Sequence, residues 1–248
     1  MQNDLFIKKI ILDREKVEDF SKYPFSIPIV KNFHSLEFHS KVTFLIGENG
    51  VGKSTFIEAI ALCLGLSSES GTQNFLYKSK DTHSSLYRYF TLHKSGRVPK
   101  TKYFLRAESF YNFSSEMQRL VEEDGYNELY YSYGGNLHAC SHGEAFLKVV
   151  QNRFSENGLY ILDEPEAALS PSRQMSLLCL IDELTKKGSQ FIIATHSSIL
   201  ISYREGEILD LNQNFQKVDY QETEIFKTYK LFLENPDRMQ EYLFEMEK

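Results

Sequence analysis

The strongest constraint on the fold is a pair of motifs that each follow a short apolar run typical of a buried strand. Residues 47–55 read GENGVGKST, which fits the pattern G-x-x-x-x-G-K-[ST]. Residues 159–170 read LYILDEPEAALS, where two adjacent acids follow four apolar residues. The first pattern alone arises by chance in roughly one chain in a hundred of this length. Both motifs together, each at a strand end, predict a phosphate-binding loop and an acidic partner for its metal ion.

The first motif predicts a strand, a glycine-rich turn and a helix from Ser54 to Leu66. Backbone N–H groups in such a turn surround phosphates, and the helix N-terminus adds its positive dipole end. Lys53 is predicted to reach the β- and γ-phosphates of a nucleotide, and Ser54 to ligate Mg²⁺. The predicted nucleotide contacts from this loop are Gly47, Glu48, Asn49, Gly50, Val51, Gly52, Lys53, Ser54 and Thr55.

The acid pair divides two tasks between neighbouring side chains. Asp163, at the end of its strand, is predicted to hold Mg²⁺ directly or through a water molecule. Glu164 has no evident task in metal binding, so it is predicted to orient or deprotonate the attacking water. The alternative is a solvated turn over residues 163–165, which would leave the presence of the phosphate-loop motif unexplained.

Two further segments lie in the order expected around such a site. Ser141-His142-Gly143-Glu144 opens a stretch with helical apolar spacing, and a serine and a glycine at a helix start favour anion binding. Such a string on its own usually does no more than cap a helix. Downstream, residues 191–195 read as a buried strand that ends at His196.

The order GENGVGKST, SHGE, LYILDEPEAALS and ATHS resembles the ATP-binding-cassette (ABC) ATPases, specifically their SMC and RecF-like branch. The run over residues 104–196 resembles a bacterial family of small stand-alone ATPases in that branch. The resemblance implies an α/β P-loop fold with a mixed sheet, a helical signature region and a small β-rich, basic arm. It also implies that the cofactors are ATP and Mg²⁺.

The resemblance further implies a head-to-tail homodimer that forms on ATP. Ser141, Gly143 and Glu144 would then lie at the γ-phosphate bound by a second subunit. His196 would sense that phosphate beside the catalytic Glu164, and the loop 168–170 would meet its counterpart across the dimer.

The chain departs from the pattern of that family in three places. The signature reads SHGE instead of LSGGQ, and Ser170 stands where many cassettes carry aspartate. No glutamine follows the run Tyr103–Arg106, where the family places a metal-contacting glutamine. Glu108 is the predicted substitute as a metal ligand, and Gln73 is a second candidate.

Composition and length agree with one globular α/β domain over residues 1–248, of which 42% are hydrophobic. Residues 67–102 are predicted to form a polar, basic arm and residues 215–248 a C-terminal extension with one strand and two helices. Short β-like runs are expected at 6–12, 27–30 and 33–38.

The chain has no apolar run of membrane-spanning length and three scattered cysteines, so a reduced, cytoplasmic protein without membrane insertion is expected. Only 85 residues separate the loop from Ser141, too few for long coiled-coil arms.

Charge is distributed unevenly along the chain, whose net charge is −6. Residues 78–106 carry eight basic side chains and one acid, with aromatic residues between them. Such a segment favours nucleic acid, although a solvated arm or a dock for an acidic partner has the same composition. Two hypotheses follow: an ATPase that acts on or near nucleic acid in DNA repair or defence against foreign DNA, and a regulatory ATPase that gates a partner nuclease or toxin. A transporter subunit is a third, more distant possibility.

Overall fold

The computed structural model describes residues 4–67, 84–110 and 140–245, together with Arg119 and Gly135. The strands are Ile7–Leu12 (β1), Ser35–Glu37 (β2), Val42–Ile46 (β3), Phe90–Lys94 (β4), Lys102–Arg106 (β5), Leu159–Asp163 (β6), Gln190–Ala194 (β7), Glu207–Asp210 (β8) and Gln216–Val218 (β9). The helices are Pro28–Lys31 (α1), Lys53–Cys63 (α2), His142–Arg153 (α3), Pro171–Lys186 (α4), Glu224–Glu234 (α5) and Pro236–Glu245 (α6).

The main sheet has the strand order β5-β6-β7-β3-β8-β9. Its first five strands are parallel to their neighbours, and β9 pairs antiparallel with β8. The parallel strands are almost fully buried on both faces, which explains their continuous apolar sequences. Because the strands are parallel, their carboxyl ends lie at one edge of the sheet, and both motifs follow strands that end there.

Each face of the main sheet is covered by a different layer. Alternate side chains, such as Phe104 and Ile161, point into a core shared with α2 and with a smaller antiparallel sheet of order β2-β1-β4. Their neighbours, such as Leu105 and Leu162, point into a second core with α3 and α4. This is the α/β architecture with a mixed sheet that the sequence predicts.

A buried glutamine joins the two sheets. Gln190 begins β7, and its side-chain oxygen accepts hydrogen bonds from the N–H groups of Phe6 and Ile7 at 2.8 and 3.0 Å. Its amide group donates to the carbonyl of Ile7 at 3.0 Å. The start of the chain is therefore fixed against the middle of the main sheet.

One sequence-based expectation for the N-terminal half is wrong. Residues 27–30 were expected to be extended, but Pro28–Lys31 is a helical turn with Pro28 in its first position. Proline fixes a helix-compatible φ and has no N–H to donate to a strand partner, which favours this outcome. The described part of the expected arm also includes β4, which pairs with β1 and belongs to the smaller sheet. Residues 68–83 lie outside the described residues.

The C-terminal half follows the expectation closely. The helix α4 begins at Pro171 after Ser170, and Gly188 follows its end with φ of +89°. Beyond β9 come two helices divided at Asn235 and Pro236, as predicted. Within the described residues, no helix combines the length and the apolar character needed to cross a membrane. Cys63 and Cys179 are free thiols, and the Sγ of Cys140 accepts a hydrogen bond from the ammonium group of Lys148 at 2.9 Å.

Candidate active site at the carboxyl edge of the sheet

The loop between β3 and α2 has the backbone of a phosphate-binding turn. Gly50 and Gly52 have φ values of +83° and +108°, which side chains rarely tolerate. A Cβ atom on Gly52 would lie 2.3 Å from Cγ2 of Ile27, so the loop also packs too closely for a side chain here. The first turn of α2 leaves N–H groups without intrahelical acceptors, and these face the loop.

Lys53 lies inside this loop and is only 4% exposed. Its ammonium group donates to the carbonyl groups of Gly47 and Glu48 at 2.9 and 3.0 Å. Burial lowers the pKa of Lys53, and nearby carboxylates, Glu164 first among them, oppose that shift. The loop thus encloses a cation where a phosphate would need one. Of the other loop residues, Glu48, Asn49, Gly50 and Ser54 are exposed, and Val51 and Thr55 are partly buried.

The structure brings Ser54 and Asp163 together across the two motifs. Ser54 lies in the first turn of α2, and its hydroxyl donates to Oδ1 of Asp163 at 3.3 Å. Asp163 is the last residue of β6 and is 2% exposed. Burial raises the pKa of Asp163, whereas the adjacent Arg106 guanidinium lowers it. A hydroxyl and a carboxylate held this close form a suitable pair of oxygen ligands for Mg²⁺.

Arg106 is part of this site, which sequence reasoning missed. Its Nε donates to Oδ2 of Asp163 at 2.9 Å, and its Nη1 lies 3.0 Å from Oε2 of Glu58 on α2. Its Nη2 donates to the carbonyl of Ser54 at 3.3 Å. The only sequence signal is its place at the end of the apolar run Tyr103–Arg106, within the basic 78–106 segment.

Glu164 and His196 face each other beside the pair formed by Ser54 and Asp163. The side chain of Glu164 is 40% exposed, and its Oε1 lies 3.8 Å from Nε2 of His196. That separation is too long for a hydrogen bond, and Nε2 of His196 has no hydrogen-bond partner within the described residues. Burial lowers the pKa of His196, Lys53 lowers it further, and Glu164 opposes the shift. A neutral imidazole therefore stands ready to bond a phosphate oxygen or a water molecule.

A third acid of the second motif, Glu166, fixes the segment that carries His196. Its carboxylate accepts hydrogen bonds from Oγ1 of Thr195, at 2.7 Å, and from the backbone N–H of His196. Burial raises the pKa of Glu166, and these two hydrogen bonds lower it. Sequence reasoning assigned no role to Glu166, because the contact joins segments thirty residues apart.

The predicted signature residues lie at the start of α3, next to the turn that follows β6. Ser141 precedes α3, and its backbone N–H donates to Oε2 of Glu144 at 3.0 Å. Arg173, from the first turn of α4, donates to Oγ of Ser141 at 2.9 Å and to Oε1 of Glu144 at 2.8 Å. Gly143 is closely covered, since an added Cβ would lie 2.7 Å from Nη1 of Arg173. Within the described residues, the hydrogen bonds of the Lys53 ammonium group go to Gly47 and Glu48, and not to these signature residues.

A sequence model of one family covers most of this arrangement. The model describes the RecF/RecN/SMC N-terminal domain and matches residues 25–217, which is more than half of the chain. The chain belongs to this family. The match runs from α1 to β9, so it includes the phosphate loop, Asp163, Glu164 and His196.

Individual relatives of this RecF/RecN/SMC-type chain are distant. An ABC transporter ATP-binding protein of Bacillus cereus (strain ATCC 14579) is 24% identical over 250 residues, which cover 90% of this chain and 43% of that protein. The zinc import ATP-binding protein ZnuC 1 of Aliivibrio fischeri is 26% identical over 180 residues, covering 71% of this chain and 66% of that protein. The SMC head domain from Thermotoga maritima, a solved structure, is 17% identical, covers 83% of this chain and 95% of that chain, and gives a TM-score of 0.45. The chain spans less than half the length of the Bacillus cereus relatives that it matches.

The site of this RecF/RecN/SMC-type domain fits a magnesium nucleotide by its chemistry. A buried ammonium lies within a glycine-rich loop, and a serine hydroxyl meets a strand-end carboxylate 109 residues away. The unpartnered imidazole nitrogen of His196 is available for a further oxygen. These residues offer a cation and helix N–H groups for phosphate, oxygen ligands for Mg²⁺, and an imidazole nitrogen that has no partner within the described residues.

The remaining metal candidates are not drawn into this cluster. Glu108 is exposed just beyond β5, and no contact with Ser54 or Asp163 is found for it in the described part of the chain. No group of three or more acidic, histidine or cysteine side chains with metal-binding geometry occurs there either. Gln73 lies outside the described residues. The role of Glu108 as a metal ligand stays a prediction.

Several basic side chains of the 78–106 segment make contacts within the protein, so fewer of them are available to bind nucleic acid than the sequence suggests. Lys102 donates to the carbonyl of Leu64 at 2.9 Å, Lys100 pairs with Glu156, and Arg97 bonds the side chain of Asn157 at 2.9 Å. Arg106 belongs to the site itself, as described above. Two further basic residues of the segment, Arg88 and Lys94, are exposed, and Lys78 and Lys80 lie outside the described residues.

Proposed function

We propose that this protein binds ATP together with Mg²⁺ and hydrolyses it. The observation that carries the proposal is the meeting of the two motifs, in which the Ser54 hydroxyl lies 3.3 Å from Oδ1 of Asp163. Glu164 and His196 stand beside that pair, 3.8 Å apart. A structural strand end would not need a buried lysine, a metal-type oxygen pair and an acid facing an unpartnered imidazole at one edge.

Each side chain has a distinct task in this proposal. Lys53 exchanges its loop carbonyls for phosphate oxygens and neutralises their charge. Ser54 and Asp163 hold Mg²⁺, which supplies charge stabilisation to the phosphates when it is bound. Glu164 orients the attacking water and takes its proton. The neutral His196 donates a hydrogen bond from Nε2 to the terminal phosphate and thereby aligns it with that water.

The active unit in this proposal is a head-to-tail dimer with ATP between its subunits. The start of α3 presents a helix N-terminus, which favours anions, and in the proposed dimer it lies against the γ-phosphate bound by the other subunit. Arg173 adds a guanidinium beside Ser141 at 2.9 Å. A single subunit would leave one side of its nucleotide open to water, so association completes the site and makes it depend on ATP.

The binding step is tested with Lys53→Ala. Loss of the buried cation should reduce ATP affinity at least about 100-fold, because a charge-assisted contact to phosphate is lost. Calorimetry or fluorescence titration with an ATP analogue measures this, and Lys22→Ala, which removes an exposed lysine, serves as the control. Near-normal affinity in a folded Lys53→Ala protein would refute the site.

The ATP-bound dimer is proposed to act on or near nucleic acid, in DNA repair or in defence against foreign DNA. Two observations support this proposal: the basic segment 78–106 and membership of the RecF/RecN/SMC family. The support from the basic segment is weakened because Lys100 and Lys102 make contacts within the protein. Retention on DNA and RNA columns at moderate salt should fall when Arg88 and Lys94, or Lys78 and Lys80, are changed to serine. Unchanged weak retention in all variants would favour the alternative, a regulatory subunit that gates a partner nuclease or toxin.

The names of the relatives favour a further candidate, an ATPase subunit of a membrane transporter. The Bacillus cereus and Aliivibrio fischeri proteins are named for transport and import. Their similarity covers 90% and 71% of the present chain. Pull-down from solubilised membranes with the ATP-bound protein separates this candidate from the two others, since only a transporter subunit should recover an integral membrane partner.

A further inference from the structure

Arg106 carries a largely buried guanidinium that links β6 to the first two turns of α2. Its side chain is 16% exposed, and its three nitrogen atoms each have a separate partner: Asp163, Glu58 and the carbonyl of Ser54. Arginine suits such a place because its donors are fixed in a planar fork, whereas lysine offers one flexible charge. A cation buried among these partners is a built feature, since an unpaired one would be costly.

The two oxygen atoms of Asp163 are divided between different partners. Oδ2 takes the Nε–H of Arg106 at 2.9 Å, and Oδ1 faces the Ser54 hydroxyl at 3.3 Å. The guanidinium therefore fixes the rotation of the carboxylate, so that the oxygen it does not bind points to the serine. If Arg106 were absent, the carboxylate could rotate about its terminal bond, because that torsion is soft.

Glu58 fixes Arg106 from the other side. It is 8% exposed on α2, one turn beyond Ser54, and its second oxygen, Oε1, accepts the backbone N–H of Ser84 at 3.2 Å. The described chain thus contains a continuous path from Asp163 through Arg106 and Glu58 to the segment that leads into β4. Each member of the path is held by hydrogen bonds, so Arg106 has little freedom to move.

We propose that Arg106 is a positioning residue that aims Oδ1 of Asp163 at the Mg²⁺ position beside Ser54, with Glu58 as its anchor. This inference rests on the proposed function, because it assumes that the oxygen pair holds Mg²⁺. Within the described residues, Arg106 contacts Asp163, Glu58 and the carbonyl of Ser54. It acts through Asp163, so its effect should fall on metal binding and spare the binding of nucleotide alone.

The opposite role makes the opposite prediction. A guanidinium on Asp163 could instead compete with Mg²⁺ for the carboxylate and release it only when the metal enters. Removal of Arg106 would then tighten Mg²⁺ binding. The division of the two oxygens argues against competition, because Arg106 occupies Oδ2 and leaves Oδ1 beside the serine hydroxyl.

The test measures how nucleotide binding depends on Mg²⁺. A fluorescent ATP analogue is titrated into the full chain in EDTA and over a range of Mg²⁺ concentrations, for wild type, Arg106→Lys and the matched control Arg204→Lys, which changes an exposed arginine. Arg106→Lys should need about 10- to 100-fold more Mg²⁺ for half-maximal effect, as is usual when a residue supporting a metal ligand is lost. Its affinity in EDTA should match wild type, and Arg204→Lys should match wild type in both. An unchanged or lower Mg²⁺ requirement in Arg106→Lys would overturn the inference.

A second variant keeps the test decisive if Arg106→Lys does not fold. Glu58→Gln retains the shape of the anchor and leaves the pair of Arg106 and Asp163 intact, so it should fold and show a smaller rise in the same direction. No rise in Glu58→Gln, with Arg106→Lys unfolded, would also overturn the inference. Wild type itself separates the two proposals: if its nucleotide binding is absent or ignores Mg²⁺, the proposed function fails, whereas a normal wild type with unshifted variants removes the role of Arg106 alone.

Discussion

Glu164 combines backbone strain with a position at the mouth of the site. Its φ and ψ are 49° and 51°, a left-handed conformation that costs a non-glycine residue on the order of 1 kcal/mol or more. Its N–H donates to the carbonyl of Ala194 at 2.9 Å, so the strained backbone is tied to the neighbouring strand. Strain that is held in place this way points the side chain out of the sheet and toward His196.

Glu164→Gln should separate hydrolysis from binding. The amide keeps the shape of the side chain but cannot take a proton, so the hydrolysis rate should fall by about 10²- to 10⁴-fold while ATP affinity survives. Steady-state phosphate release and equilibrium ATP binding measure the two effects, with Glu205→Gln as an exposed acid control. Hydrolysis at the wild-type rate would assign the role to another group, with His196 first.

The sequence predicts the residues of this site that lie within one motif and misses those that act between motifs. Lys53, Ser54, Asp163 and Glu164 follow from spacing, because loop, helix start and strand end are local features. Arg106 and Glu166 do not, since their roles depend on which strands are neighbours in the sheet. An arginine in a basic run is indistinguishable from a surface residue until β5 is placed beside β6.

At the scale of elements, the contact between the turn after β6 and the end of β7 is the least expected part of the site. Glu166 lies in the turn, and its bonds to Thr195 and to the N–H of His196 fix how the imidazole enters the site. The oxygen Oγ1 of Thr195 also accepts the N–H of Ser197 at 3.0 Å, which extends the same network by one residue. One carboxylate therefore orders the segment that would sense the terminal phosphate.

A Glu166→Gln variant should change how the free energy of unfolding depends on pH. Burial raises the pKa of Glu166 in the folded chain, so the folded state binds this proton more tightly than the unfolded state. Its contribution to stability is then greatest at low pH and declines as pH rises from the ordinary glutamate pKa to the raised one. Glu166→Gln lacks this loss, so its free energy of unfolding relative to wild type should increase across that window, as urea titrations at several pH values would measure.

Glu166→Ala tests the connection to His196. It leaves the Thr195 hydroxyl and the His196 N–H without their acceptor, which should cost about 1–3 kcal/mol for each group that finds no water. Hydrolysis should fall with little change in ATP affinity, because His196 loses its alignment while the phosphate loop is untouched. Equal hydrolysis in the alanine variant and wild type would show that the carboxylate is not needed for that alignment.

Elements were predicted well where their sequence pattern is strong. The strands β3, β6 and β7 and the helix α2 were expected close to their observed bounds. The expectation failed at α1, where Pro28 overrides an apolar run. β4 is stabilised by pairing with β1, some eighty residues earlier, and no local pattern encodes that partner.

At the scale of the whole molecule, the proposed dimer assigns a role to the surface around the start of α3. The helix N-terminus at Ser141 favours anions, and Arg173 adds a positive charge whose pairing with Glu144 is open to solvent. None of the contacts described for the phosphate loop includes these residues. A dimer that places this surface against the nucleotide of a second copy would account for both features with one interface.

Complementation between two inactive variants tests that dimer. Lys53→Ala has a defective phosphate loop and an intact α3 start, and Ser141→Arg has the reverse defect, so each alone should hydrolyse ATP very slowly. An equal mixture should regain about a quarter of wild-type activity, since half of the dimers are mixed and each of those holds one intact site of two. The mixture is compared with each variant at the same total concentration, and ATP-dependent association is followed by light scattering. A mixture as inactive as its parts, together with a wild-type rate per subunit that does not vary with concentration, would mean that each subunit completes its own site.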